Sequence, residues 1–254
     1  MFRKLRIAIL LTILVVVAGD QWLTESRLSS WEKPLWITIY PVLVDLNPDV
    51  RNYAESLDAN SFREIGDFIK QQAMRYGREL AKPVIFQVAR PLTDLPPALP
   101  VENSGPNIAI WSLKMRWWSW WNGSQDDLAP SDIKIYLLYQ QRDPDLLMER
   151  SVGVKNGSYG LVNASPTRQM AARNRIVITH ELLHILGATD KYDLYTGQPT
   201  EPGGLANPGQ SPLYPQARAE IMGGRIATSP YRWRYPANLE SCVIGSVTAS
   251  EIGW

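Results

Sequence analysis

THELLHILGATDKYD, residues 179–193, holds His180 and His184, the only two histidines among 254 residues. On an α-helix successive residues stand about 100° apart, so two residues four apart lie about 40° from each other on adjacent turns. Two imidazoles so placed reach one metal ion at Zn–N distances of about 2.0–2.1 Å. Glu181 lies about 100° round from His180 and does not easily join the same ligand set. It is placed instead to hold a metal-activated water and to take its proton as general base. No histidine remains for a third ligand, so that ligand must come from another residue type. Asp190 is the leading candidate, because Gly187 allows a sharp turn after the helix and three more residues return a carboxylate toward the ion. A turn-capping aspartate in the run A-T-D-K is the plainer role for it. Glu220 is its rival, although the surrounding prolines and glycines suit a turn better than a second ligand helix. A carboxylate ligand adds negative charge, makes the zinc a weaker Lewis acid and raises the pKa of its water.

Outward from this helix the chain alternates between two periodicities. The helix itself begins near Thr167, carries Met170, Ile176, Val177, Leu182, Leu183 and Ile185, and stops at Gly187. Pro34–Val44, Pro83–Ala89, Asn107–Met115, Asp132–Gln140 and Tyr159–Ala164 read as strands, rich in Ile, Val, Trp and Tyr. Ser61–Leu80 places Phe62, Ile65, Phe68, Ile69, Ala73, Tyr76 and Leu80 at helical spacing, with Ser61 and Glu64 as a capping box. Residues 188–236 are dense in Gly and Pro, and Thr248–Trp254 opens with a second capping box, Thr248 with Glu251. The expected architecture is α+β: a twisted mixed sheet, a long backing helix at about 61–80 and the helix carrying the histidines. An upper lobe then spans about 31–187 and a smaller lower lobe about 188–254, together forming one domain over 24–254.

Composition narrows the classes of function. With 45% hydrophobic residues the chain builds a sizeable core, and a net charge of +1 provides no overall field for nucleic acid. The lone Cys242 excludes an intramolecular disulfide and reads as a small buried apolar residue. Arg3, Lys4 and Arg6 precede an uncharged apolar run, Ile7–Ala18, which reads as an export segment over residues 1–23. It serves either as a membrane anchor or as a cleaved signal ending near Val16-Val17-Ala18. Both alternatives place the remaining chain outside the cytoplasm, in the periplasm or at the cell surface.

Residues His180–Asp190, HELLHILGATD, resemble the signature of the metzincin zinc endopeptidases, H-E-x-x-H-x-x-G-x-x-H, with Asp in the last position as in the small secreted snapalysin-type members. The resemblance implies a zincin fold, Zn2+ held by His180, His184 and Asp190, and Glu181 as catalytic base. It also implies a methionine on a tight turn beneath the metal. Met222 in AEIMGGRI fits that position, with Gly223 and Gly224 supplying turn chemistry; an ordinary core methionine is the alternative. The segment after Asp190, with DKYD and PLYPQARAEIM, is also similar to a group of bacterial membrane-anchored proteins without assigned activity. Two departures stand out: the third histidine is replaced, and no tyrosine follows Met222 two residues on to stabilise an oxyanion. Tyr192 and Tyr195 are candidates for that role by proximity.

The expected activity is zinc-dependent peptide-bond hydrolysis, with a peptide or protein substrate lying extended against a sheet edge; Tyr159–Ala164 is one candidate edge. A catalytically inactive zinc-containing scaffold binding cell-wall glycan or a protein partner is the alternative. A zinc amidase acting on cell-wall peptides is a third reading. Trp117, Trp118, Trp120 and Trp121 offer a stacking platform or a membrane contact, although packing between the sheet and the first helix accounts for at least half of them.

Overall fold

The computed structural model describes residue 19 and residues 26–100, 104–123, 127–140, 151–154 and 158–254. The basic and apolar segment at 1–18 lies outside the described residues. Among the described residues no helix is long and apolar enough to cross a membrane.

A five-stranded sheet organises the chain, formed by β1 (Leu35–Leu43), β2 (Val84–Val88), β3 (Ile133–Tyr139), β4 (Val152–Val154) and β5 (Tyr159–Ala164) in the order β2-β1-β3-β5-β4. The first four strands in that order are parallel, and β4 runs antiparallel to β5 along the edge. Side chains alternate between the two faces, as a period of two requires. Ile37, Ile39, Ile135, Leu137 and Val162 enter one core; Tyr40, Val42, Tyr136, Tyr159 and Leu161 enter another on the opposite face. With both faces covered, the strands read as near-continuous apolar runs.

The larger core receives α1 (Pro48–Glu55), α2 (Arg63–Arg75) and α4 (Ala171–Ile185). The chain after α4 joins the same core through Ile221, Met222, Ile226, Leu239, Cys242, Ile244 and Ile252. It forms a parallel pair, β6 (Ala219–Glu220) with β9 (Cys242–Val243), an antiparallel pair, β7 (Ile226–Ser229) with β8 (Arg232–Arg234), and a short helix α5 (Ser246–Glu251). The whole is α+β with a mixed sheet. Cys242 is buried, and burial pushes its thiol pKa up to about 12.

Several expectations need correction. Asn107–Met115 is not a strand but part of α3 (Gly105–Gly123), a helix of 19 residues that also takes in the tryptophan run. Trp111, Met115, Trp118 and Asn122 form its buried stripe at spacings of four, three and four, and Pro106 is tolerated because it lies in the first turn. Of the four clustered tryptophans only Trp118 is buried. Tyr159–Ala164 is no edge, since β3 pairs with one side of it and β4 with the other. Ser61 caps with Asp58 rather than Glu64, in a 3-10 turn Ala59–Phe62 ahead of α2, and Glu64 pairs with Arg175. The backing helix is shorter than 61–80 because Gly77, at φ +72°, follows its end. At the last helix Gly245 is the N-cap, so the Thr248 and Glu251 box does not form.

Candidate metal centre

The helix α4 delivers the two histidines and stops where its sequence provides a stop. Gly187 takes φ +110°, and the Ala188 N–H reaches back to the Leu183 carbonyl at 2.9 Å, closing the helix end in the manner of a left-handed cap. The reversal returns Asp190 to the histidines. Asp190 Oδ1 lies 3.1 Å from His180 Nε2 and 3.2 Å from His184 Nε2, and the two Nε2 atoms are 3.1 Å apart. His180, His184 and Asp190 thus form a group that could hold a metal ion.

The protonation pattern strengthens that reading. His180 Nδ1 donates to the Ile221 carbonyl at 2.9 Å and His184 Nδ1 to the Ala188 carbonyl at 2.8 Å, since a carbonyl can only accept. Each neutral ring therefore presents Nε2 as a lone pair, and three acceptors converge on one point. Such a set is stable only around a cation or added protons. Three atoms bound at about 2.0–2.1 Å to a tetrahedral ion lie roughly 3.3 Å apart, close to the observed spacing. Where protons fill the position instead, burial opposes charge on His180 but the Asp190 hydrogen bond wins, and its pKa is raised. Burial likewise opposes ionisation of Asp190, and the hydrogen bonds from both imidazoles hold it well below the usual carboxylate range.

Glu181 is only 4% exposed. Burial raises its pKa, with the two imidazoles opposing the rise, and its carboxylate accepts a hydrogen bond from the Gly153 N–H of β4. Its Oε2 has no hydrogen-bond partner among the described residues. Gly153 itself is required by the approach of β4 to α4: a Cβ there would stand 2.4 Å from the Glu181 carbonyl oxygen and 2.8 Å from His184 Cβ.

Met222 is fully buried on a turn in which the Gly224 N–H bonds the Glu220 and Ile221 carbonyls. The turn meets the centre through two of its carbonyls, Ile221 to His180 Nδ1 and Met222 to the Lys191 N–H at 2.9 Å. Glu220, the rival third ligand, is not brought to the histidines. Its buried carboxylate accepts from the Gly223 N–H at 2.8 Å, the Gly245 N–H at 3.0 Å and the Thr248 hydroxyl at 2.7 Å. Glu220→Ala would orphan all three donors and is expected to cost about 3 kcal/mol, read as a melting point roughly 6–10 °C lower in a thermal scan.

Of the two candidate tyrosines, Tyr195 is 99% exposed and turned to solvent, whereas Tyr192 stands at the centre. Its ring lies 6.5 Å from that of His180, its hydroxyl bonds Asp190, and the Arg225 guanidinium sits 4.7 Å from its ring centre. Sequence reasoning passed over Lys191, a buried amine that bonds Glu251 at 2.6 Å and so ties the residue after Asp190 to α5. Its one visible signal was position, immediately beside a candidate ligand.

Comparison with protein-family models gives no match, and comparison with curated proteins gives none either. Among solved structures the chain is similar to one described as "Structure of a chaperone-substrate complex", at 14% identity and a TM-score of 0.42 over 87% of this chain and 33% of that one. The chain thus spans about a third of that protein's length, and a likeness at this level supports no functional inference.

Proposed function

We propose that the chain is a metzincin-like zinc peptidase acting outside the cytoplasm, with His180, His184 and Asp190 as metal ligands and Glu181 as general base. The observation that carries this reading is the convergence of three acceptor atoms beside a buried carboxylate oxygen that has no hydrogen-bond partner among the described residues. When bound, zinc supplies a Lewis acid for the scissile carbonyl and lowers the pKa of water toward neutrality. The backbone carbonyls of Ile221 and Ala188 fix the tautomer of each imidazole and aim its Nε2. Glu181, with its carboxylate steadied by the Gly153 N–H and its Oε2 unpartnered among the described residues, takes a proton from the attacking water and passes it to the departing amine.

An extended substrate has one sheet edge next to the base. That edge is β4, antiparallel and joined to Glu181 through Gly153, and a peptide adding as a further strand would pass along the centre. Tyr192 supplies a hydroxyl beside Asp190 where the family's later tyrosine is missing.

The decisive experiment measures zinc content of the purified protein together with cleavage of a broad peptide library. One bound zinc with turnover supports the peptidase; one bound zinc without turnover favours the inactive scaffold. Zinc retention is further expected to fall as the pH drops, since protons compete for His180 Nε2, whose pKa the Asp190 hydrogen bond raises. Equilibrium dialysis across a pH series checks it, and pH-independent retention down to pH 4 would contradict the ligand set.

A further inference from the structure

We infer that the outer face of α3 is a membrane-docking surface that seats the domain in the headgroup region of a bilayer containing anionic lipid. An ordinary surface helix is apolar on one side and polar on the other, and one apolar all round is buried or meets lipid. The inner stripe of α3 packs on the sheet and on the loop after β2: Trp118 lies edge-on to Tyr136 at 4.8 Å, and Trp111 Nε1 donates to the Pro97 carbonyl at 3.0 Å. The outer face is apolar again. Ile110, Leu113, Trp117, Trp120 and Trp121 follow one another at helical spacing and are 53–68% exposed.

The three outer tryptophans touch one another, with ring centres 5.5, 6.4 and 6.5 Å apart, and form a continuous patch. At the area a tryptophan offers they expose roughly 400 Å², as much as the largest apolar patch on an ordinary monomer, before Ile110 and Leu113 are added.

The residue types select the occupant. Tryptophan favours the membrane interface, where an apolar ring and a polar N–H are both accommodated. The charged side chains on residues 105–123 are Lys114 and Arg116, with no carboxylate, which complements an anionic headgroup layer. Residues 19–25 connect the apolar run at 7–18 to the described chain and span at most about 25 Å, so the reading of that run as a membrane anchor keeps the domain within reach of a bilayer surface. This inference does not depend on the metal centre.

The test uses the full chain reconstituted in vesicles of phosphatidylcholine with a minority of phosphatidylglycerol. Nitroxide is placed at Leu113→Cys, or at Lys70→Cys on α2 across the sheet; Cys242 is buried and stays unlabelled. The ratio of collisions with oxygen to collisions with a water-soluble relaxant should be several-fold higher at 113 than at 70. The combined change Trp117→Ser, Trp120→Ser and Trp121→Ser, all at exposed positions, should remove the difference and leave the melting point unchanged. Equal exposure of 113 and 70 to the aqueous relaxant overturns the inference. Dipolar broadening between labels at 113 on different chains overturns it too, in favour of a second copy covering the face.

Discussion

Glu181→Gln is expected to lower peptide hydrolysis by about 10³-fold, within the range typical of a lost general base, while leaving one zinc bound per chain. The substitution keeps the shape and the hydrogen bond from Gly153 and removes the negative charge and with it the ability to accept a proton. Glu181 is not among the three converging ligand atoms, so metal content is the internal control. A variant that loses zinc as well as activity would make Glu181 a ligand or a structural prop. A variant that retains full activity would remove it from the reaction and leave the centre without a base.

Asp190→Ala is expected to weaken zinc binding by about 100-fold or more, since loss of a direct ligand exceeds the 10–100-fold cost of disturbing a ligand's partner. Competition with a chromogenic chelator measures it. Glu220→Ala is the comparison: it should melt earlier and bind zinc nearly as well, because its carboxylate is engaged by Gly223, Gly245 and Thr248. The reverse pattern, zinc kept without Asp190 and lost without Glu220, would transfer the third ligand to Glu220.

How much of this was legible in the sequence depended on how local its cause was. Histidines four apart ahead of a glycine specify one helical face and a reversal after it, and Asp190 is close enough for that reversal to place. The strands β1, β2, β3 and β5 were visible as β-branched and aromatic runs between turn residues. Residues 107–115 misled because Ile108, Ile110 and Trp111 are of types that favour strands, and packing of Trp111, Met115 and Trp118 on the sheet decides for a helix. The helix α1 was overlooked although Asn47 caps it and Pro48 opens it, a pairing that sequence does carry. The work of Glu220 and the short edge strand β4 could not be read. The partners of Glu220 extend 28 residues along the chain, and β4 has three residues and no hydrophobic periodicity of its own.

Lys191 and Glu220 each find a distant partner in residues 245–251, some sixty and twenty-five positions downstream. A polypeptide is made from its amino end, so His180, Glu181 and His184 emerge well before the residues that brace the loop and turn around them. During that interval these three side chains exist without the frame that orients them. The frame around the candidate metal centre is complete only as residues 245–251 arrive, and under the proposed peptidase reading this postpones hydrolytic competence until nearly the whole described chain has emerged.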